Sequence, residues 1–352
     1  MRLSSSLCVA VALLAAGCRQ NQKPGSDRPI GRVIPLKAPL GLPELVVPAD
    51  NPVTAETVAL GRKLYYDRRL SADDTIACAS CHDPGKGFTD GRRFSTGFHN
   101  QQGTRNAPPV VNAAYSPMQF WDGRAATLED QAGGPIANPV EMNQKYDVLT
   151  AKLQADPEYV SLFEKAYGPG AITMSQVRKS LAAFERTVVS GNSPFDRYQY
   201  GGDKAALSPA AVRGLAIFRD PGKGNCITCH PIGEKSALFT DGKFRNIGVG
   251  VNEEGVLTDL GRFQESKAER DRGAVKTPSL RNVALTAPYM HDGSLKTLRS
   301  VLEYYAGGGN SNPALDKDLK PLRLTKAERD DLLAFLESLT GEMPPNAGPP
   351  AN

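Results

Sequence analysis

Histidine is scarce in this chain: four residues in 352, namely His82, His99, His230 and His291. A site that consumes many imidazoles is excluded. Tryptophan occurs once, as Trp121. Cysteine is limited to six residues, of which Cys8 and Cys18 fall in the N-terminal leader. No Lys/Arg run stands out, and the net charge of +4 is small for the length, so nucleic acid is not an expected partner. Alternating β patterning is also scarce, and the fold class expected is all-α with long irregular loops.

The leader has a recognisable build. Arg2 precedes an apolar run from Leu7 to Ala16, too short to cross a bilayer and typical of a secretory signal. Residues 1–17 read as a signal peptide, which makes the protein exported. The run Leu14-Ala15-Ala16-Gly17-Cys18 resembles a bacterial lipobox, so a lipid on Cys18 is expected to anchor the mature chain in the periplasm. The alternative is simple cleavage near Gly17 and a soluble periplasmic protein. Residues 18–51, rich in proline, read as an extended tether.

The other four cysteines carry the strongest signal. Cys78-Ala79-Ser80-Cys81-His82 recurs as Cys226-Ile227-Thr228-Cys229-His230, and Cys-x-x-Cys-His is the attachment pattern of c-type haem. Two thiols add across the two vinyl groups of one haem while the adjacent imidazole reaches the iron. The expectation is two covalent haems, with His82 and His230 as proximal iron ligands. A pair of redox or zinc Cys-x-x-Cys motifs would not place a histidine identically in both copies.

The repeat extends beyond the motifs. Gly61-Arg62-Lys63-Leu64-Tyr65-Tyr66-Asp67 matches Gly214-Leu215-Ala216-Ile217-Phe218-Arg219-Asp220 in register, which points to a duplicated module rather than a solenoid. Ser208-Pro209 is a helix-start signal. Val177, Leu181, Phe184 and Val188 recur at helical spacing, and Thr325 with Glu328 forms a capping box for a last helix running to Gly341. A helix before and a helix after each motif resembles the cytochrome c fold. The expected units are an N-terminal haem domain over 52–195, a C-terminal haem domain over 196–342 and a tail over 343–352, with Gly191 to Gly202 as the boundary region.

Two histidines are spent as proximal ligands, so at least one iron is expected to be open or held by another group, and an open position suits peroxide chemistry. Three segments, FWDGRAATLEDQA, GPIANPVEM and TPSLRNVALTAPYMHDGS, resemble those of bacterial di-haem cytochrome c peroxidases and the related MauG enzymes. The resemblance runs from about Ala59 to Gly308.

What it implies is specific. The N-terminal haem is the peroxidatic one, with Glu141 as distal acid/base and Gln131, Pro135 and Met142 around it. A carboxylate there can take a proton from peroxide and return it to the departing oxygen. Trp121 falls where the family places an electron relay between haems. Tyr305 falls where peroxidases of the family usually have a methionine as sixth ligand of the second haem. A phenolate is a harder donor than a thioether and favours oxidised iron; the alternatives are Met290 or His291. The loop histidine that caps the resting iron in peroxidases needing reductive activation is expected at Phe98, next to His99. Either His99 serves with a shifted loop or the first haem stays open. Asn106, Thr286 and Pro288 match positions around a structural calcium, whose hard oxygen donors they would supply. His291 reads as structural or propionate-binding.

The function expected is reduction of hydrogen peroxide to water with electrons from a small c-type cytochrome or copper protein. The alternatives are a MauG-like enzyme that oxidises Trp or Tyr residues of a partner protein, and a pure di-haem electron carrier.

Overall fold

The computed structural model describes residues 26–350. The leader, Cys8, Cys18 and the first part of the expected tether lie outside the described residues. Among the described residues, no helix is long and apolar enough to cross a membrane.

The chain is helical. In order come α1 (Ala55–Tyr66), α2 (Cys78–Cys81), α3 (Leu128–Ala137), α4 (Tyr146–Gln154), α5 (Pro157–Tyr167) and α6 (Met174–Glu185). There follow α7 (Pro194–Gln199), α8 (Pro209–Arg219), α9 (Phe263–Ser266), α10 (Leu298–Ala306) and α11 (Lys326–Glu337). The one sheet among the described residues is a two-stranded antiparallel pair, β1 (Phe244–Arg245) with β2 (Val275–Lys276). Capping residues explain several helix starts. Thr54, Ser208 and Thr325 each accept a backbone N–H from their own first turn, and Glu328 completes the box at Thr325, which satisfies donors a helix leaves orphaned.

Two hydrophobic cores are present, and each is built on one pair of crossing helices. In the first, α1 crosses α6 at Gly61: a Cβ there would overlap the carbonyl oxygen of Ser180. In the second, α8 crosses α11 at Gly214, where a Cβ would overlap the carbonyl oxygen of Asp331. Glycine is present at both places because the backbones touch. One turn on, the Tyr65 and Phe184 rings meet with centroids 5.1 Å apart, and Phe218 and Phe335 meet at 5.0 Å. Both contacts are edge-to-face, the arrangement the ring quadrupole favours.

The division between cores lies before α7. Val188 belongs to the first core and Phe195 to the second, so a domain boundary between 195 and 196 would cut α7. The segment expected to be an extended tether is, over its described part, a strap laid on both units. Ile30 N–H donates to Ala166 O, Ile34 N–H to Val53 O and Asn192 N–H to Leu40 O, while Gly41 O accepts from Ala237 N–H and Arg281. Composition missed this because the strap is held by its backbone. The tail crosses back the other way: Ala347 packs in the first core, and its carbonyl accepts the Tyr66 hydroxyl at 2.6 Å.

Candidate active site

A continuous cavity of about 1480 Å³ runs between the two units, and both Cys-x-x-Cys-His motifs line it. Each histidine is held alike. His82 Nδ1 lies 3.2 Å from Phe88 O, and His230 Nδ1 lies 2.7 Å from Phe239 O. An Nδ1–H donated to a carbonyl fixes the tautomer and leaves Nε2 as a lone-pair donor. Burial lowers the proton affinity of both rings, which keeps them neutral and fit to bind a metal. Both acceptor residues have left-handed backbones, φ 62° at Phe88 and 52° at Phe239, so each chain segment turns back sharply to present its carbonyl.

No disulfide joins the four cysteines of the two motifs. Burial raises the pKa of Cys81 to about 11, of Cys226 to about 12 and of Cys229 to about 11, and raises that of Cys78 further still. They are thus neutral thiols lining an apolar cavity large enough for two flat macrocycles. The donor set fits two haems: two thiols and one neutral imidazole at each end of the space.

Around His82 the cavity wall includes Gln131, Pro135 and Glu141. Gln131 and Pro135 sit on one face of α3, and Glu141 follows the turn after it. Asn138, at the C-cap of α3, donates its side-chain N–H to Glu141 Oε1 at 2.7 Å. Burial raises the Glu141 pKa, an effect opposed by the Asn138 hydrogen bond and by the charge of Arg124. The backbone of Glu141 is fixed too, since its carbonyl accepts Phe98 N–H at 2.8 Å. Asn138 was not singled out in the sequence, although a side-chain amide three residues before an acid was a visible signal. His99 is exposed, stacked on Phe98 with ring centroids 3.9 Å apart, and is absent from the cavity wall.

Trp121 lies at the seam of the two units. Its indole N–H donates to Asn106 O at 2.8 Å, its carbonyl accepts Lys276 N–H at 2.8 Å, and its ring meets His291 edge-on at 6.4 Å. Lys276, from β2, also reaches Ser116 Oγ and the Met118 carbonyl. Asn106 N–H donates to His291 O at 2.7 Å. Arg105 bridges the seam, with Nη1 2.5 Å from Asp122 and Nε 2.7 Å from Asp259. Asn106, Thr286 and Pro288 line the same cavity.

Tyr305, on α10, lines the cavity as Cys226 and Cys229 do, and burial raises its pKa. Tyr304 is turned elsewhere: its hydroxyl donates to Ile247 O at 2.8 Å. Met290 and His291 line the cavity as well, but His291 Nε2 lies 3.5 Å from an Asp259 carboxylate oxygen.

A second register of the duplication explains these placements. Asn112 through Leu128 repeats as Asn282 through Leu298: both asparagines have left-handed backbones, both segments enter a short 3₁₀ turn, and both reach a helix capped by threonine. Trp121 then corresponds to His291, and Pro135 corresponds to Tyr305. One unit has a proline where the other has a phenol.

Comparison with known proteins agrees with this geometry. Residues 55–205 match the family described as di-haem cytochrome c peroxidase, and residues 211–340 match cytochrome c. The chain is 43% identical over 311 residues to the methylamine utilization protein MauG of Methylorubrum extorquens, covering 87% of this chain and 85% of that protein. It is 40% identical over 331 residues to the cytochrome-c peroxidase IdrP1 of Denitromonas iodatirespirans, covering 86% of each. A crystal structure of a MauG-like protein associated with microbial copper homeostasis superposes with a TM-score of 0.79 at 32% identity, covering 88% of this chain and 96% of that one. Two cytochrome c units imply two c-type haems. Duplicated core, paired histidines and shared cavity therefore belong to a redox enzyme, and the chain is a member of the di-haem cytochrome c peroxidase and MauG family.

Proposed function

We propose that this protein reduces hydrogen peroxide to water at its N-terminal haem site, drawing electrons from a small periplasmic redox protein. The observation that carries the reading is Glu141: a half-buried carboxyl of raised pKa, held by Asn138, in the cavity that His82, Gln131 and Pro135 also line. Cys78, Cys81 and His82 would hold a haem, which would supply the iron for electron exchange with peroxide. Glu141 takes the proton from the attacking peroxide oxygen and returns it to the departing one, which then leaves as water. Two electrons and two protons turn one peroxide into two waters. Trp121, in contact with Asn106, Lys276 and His291 at the seam of the units, serves as the relay that shortens the electron path from the second site.

His99 stands outside the cavity, which favours an N-terminal site open to peroxide without prior reduction. Asn106, Thr286 and Pro288 line the cavity and carry oxygen donors of the kind a calcium ion takes. Export and a lipid anchor at Cys18 place the work in the periplasm. The donor is a small c-type cytochrome or a copper protein. The test is stoichiometry: pre-reduced small cytochrome c mixed with peroxide and the haem-loaded protein loses two electrons per peroxide consumed.

Tyr305 favours a second reading, oxidation of Trp or Tyr residues in a partner protein. A phenol in the wall that Cys226 and Cys229 also line is suited to bind the second iron as a hard anionic donor, which makes that site a store of oxidising equivalents. Peroxide consumed without donor oxidation, together with new absorbance in a partner protein, would mark that reading.

A further inference from the structure

The first unit contains a second acid, this one buried, that the scheme above leaves idle. Glu185 ends α6, one turn after Leu181, and both side chains line the cavity. It is 6% exposed. Among the described residues its carboxyl has no hydrogen bond and no ion-pair partner. A buried carboxyl is normally paired, because removing its charge from water is costly. An unpaired one in the wall of a functional cavity is a candidate for work there.

Every charged or titratable neighbour can be named. From α1 comes the Tyr65 ring, whose hydroxyl donates to His82 O at 2.9 Å. From α2 comes Cys78, for whose thiol Glu185 is the foremost acidic neighbour. From α3 comes Glu129, and on α6 itself there is Arg186. Arg186 is already committed: it forks onto Glu129 with bonds of 2.7 and 3.0 Å, and Asn51 also donates to that carboxylate. Glu185 is left beside the thiol that attaches the haem edge. Glu141 also bears on the Cys78 thiol, more weakly than Glu185, but its own partners are Asn138 and Arg124 and it does not act on Glu185 directly.

We propose that Glu185 is a redox-linked proton site of the N-terminal haem: its carboxylate binds one proton from water when the neighbouring iron gains an electron, and releases it when the iron is oxidised. The electron comes from a one-electron donor, an electrode or a small redox protein, and the only bond made or broken is the carboxyl O–H. An added electron makes a low-dielectric cavity more negative, which raises the proton affinity of an acid facing it. By reciprocity the ionised acid makes the iron harder to reduce. Burial already pushes the Glu185 pKa up to about 8. The acid is therefore protonated in both redox states well below that pH, and coupling appears as pH rises through it.

The test is potentiometric titration of the holoprotein, following the N-terminal haem spectrum from about pH 6 to about pH 10. The wild-type midpoint potential is expected to fall above about pH 8, by up to ~59 mV per tenfold change in proton activity. Glu185→Gln is expected to lose that part of the slope. Equal slopes in the two proteins overturn the proposal. Should Glu185→Gln fail to take up haem, proton uptake on reducing the wild-type protein at about pH 8.5, read with an indicator dye, decides instead. Uptake that survives Glu141→Gln supports Glu185, and no uptake overturns it. The proposal rests on haem attachment at Cys78 and Cys81 and not on peroxide turnover, so a protein inactive toward peroxide leaves it standing.

Discussion

Tyr305 occupies on α10 the position that Pro135 holds on α3, and both face the same cavity from opposite units. Pro135 has no donor atom in its side chain, so the wall near His82 is left for Glu141. Tyr305 offers a phenol to the wall near His230. Duplication has thus produced two sites of different chemistry from one plan.

Tyr305→Phe is expected to change the absorption and magnetic spectrum of the C-terminal haem and leave that of the N-terminal haem unaltered. Tyr304→Phe, which removes a hydroxyl that donates to Ile247 O and accepts from Asn310 N–H, should leave both spectra alone and cost about 1–2 kcal/mol of stability. An unchanged spectrum in Tyr305→Phe would contradict the ligand assignment.

The Glu141 carboxyl acts as a base only when ionised. Because burial raises its pKa above the usual 4.5, kcat/KM should fall, as the pH is lowered, at a pH above that value. Asn138→Ala removes a hydrogen bond that favours the ionised form, so the acid limb is expected to move to higher pH. A limb that stays in place would separate Asn138 from the chemistry.

Gly61→Ala and Gly214→Ala each drive a methyl group into a backbone carbonyl at a helix crossing. Overpacking of this kind typically costs about 1–3 kcal/mol, and backbone contact puts these two at the upper end. Gly103→Ala, with nothing within 4 Å of the added carbon, is the control and should unfold in denaturant close to wild type.

Arg281 and Asp196 form an ion pair 2.9 Å long, with side chains 1% and 0% exposed. Arg281 also donates to Gly41 O and Ala237 O, so it ties the strap to the second unit. Arg281→Met leaves a buried carboxylate uncompensated and should cost about 3–5 kcal/mol, read from denaturant unfolding. Asp196→Asn in the same background should recover part of that loss.

Most of the site could be read in the sequence, for reasons the structure makes plain. Cys78, Cys81 and His82 must be neighbours in sequence because they grip one macrocycle, and their repeat as Cys226, Cys229 and His230 doubled the signal. Gly61 and Gly214 stood out because a helix crossing at backbone contact admits one residue type. Three features were not legible. The strap is held by main-chain hydrogen bonds, which leave no side-chain pattern. Glu185 gains its character from burial beside Cys78, a residue distant in sequence. The match of Asn112–Leu128 to Asn282–Leu298 was obscured because the functional positions differ, Trp121 corresponding to His291 and, beyond the matched stretch, Pro135 to Tyr305.

The most direct test of the central claim is turnover of hydrogen peroxide by the haem-loaded protein with pre-reduced small cytochrome c, comparing wild type with Glu141→Gln. General acid–base catalysis by one group typically contributes about 10²- to 10⁴-fold, so cytochrome oxidation should be fast in the wild type and slower by that order in the variant. Equal rates in the two proteins would contradict the account.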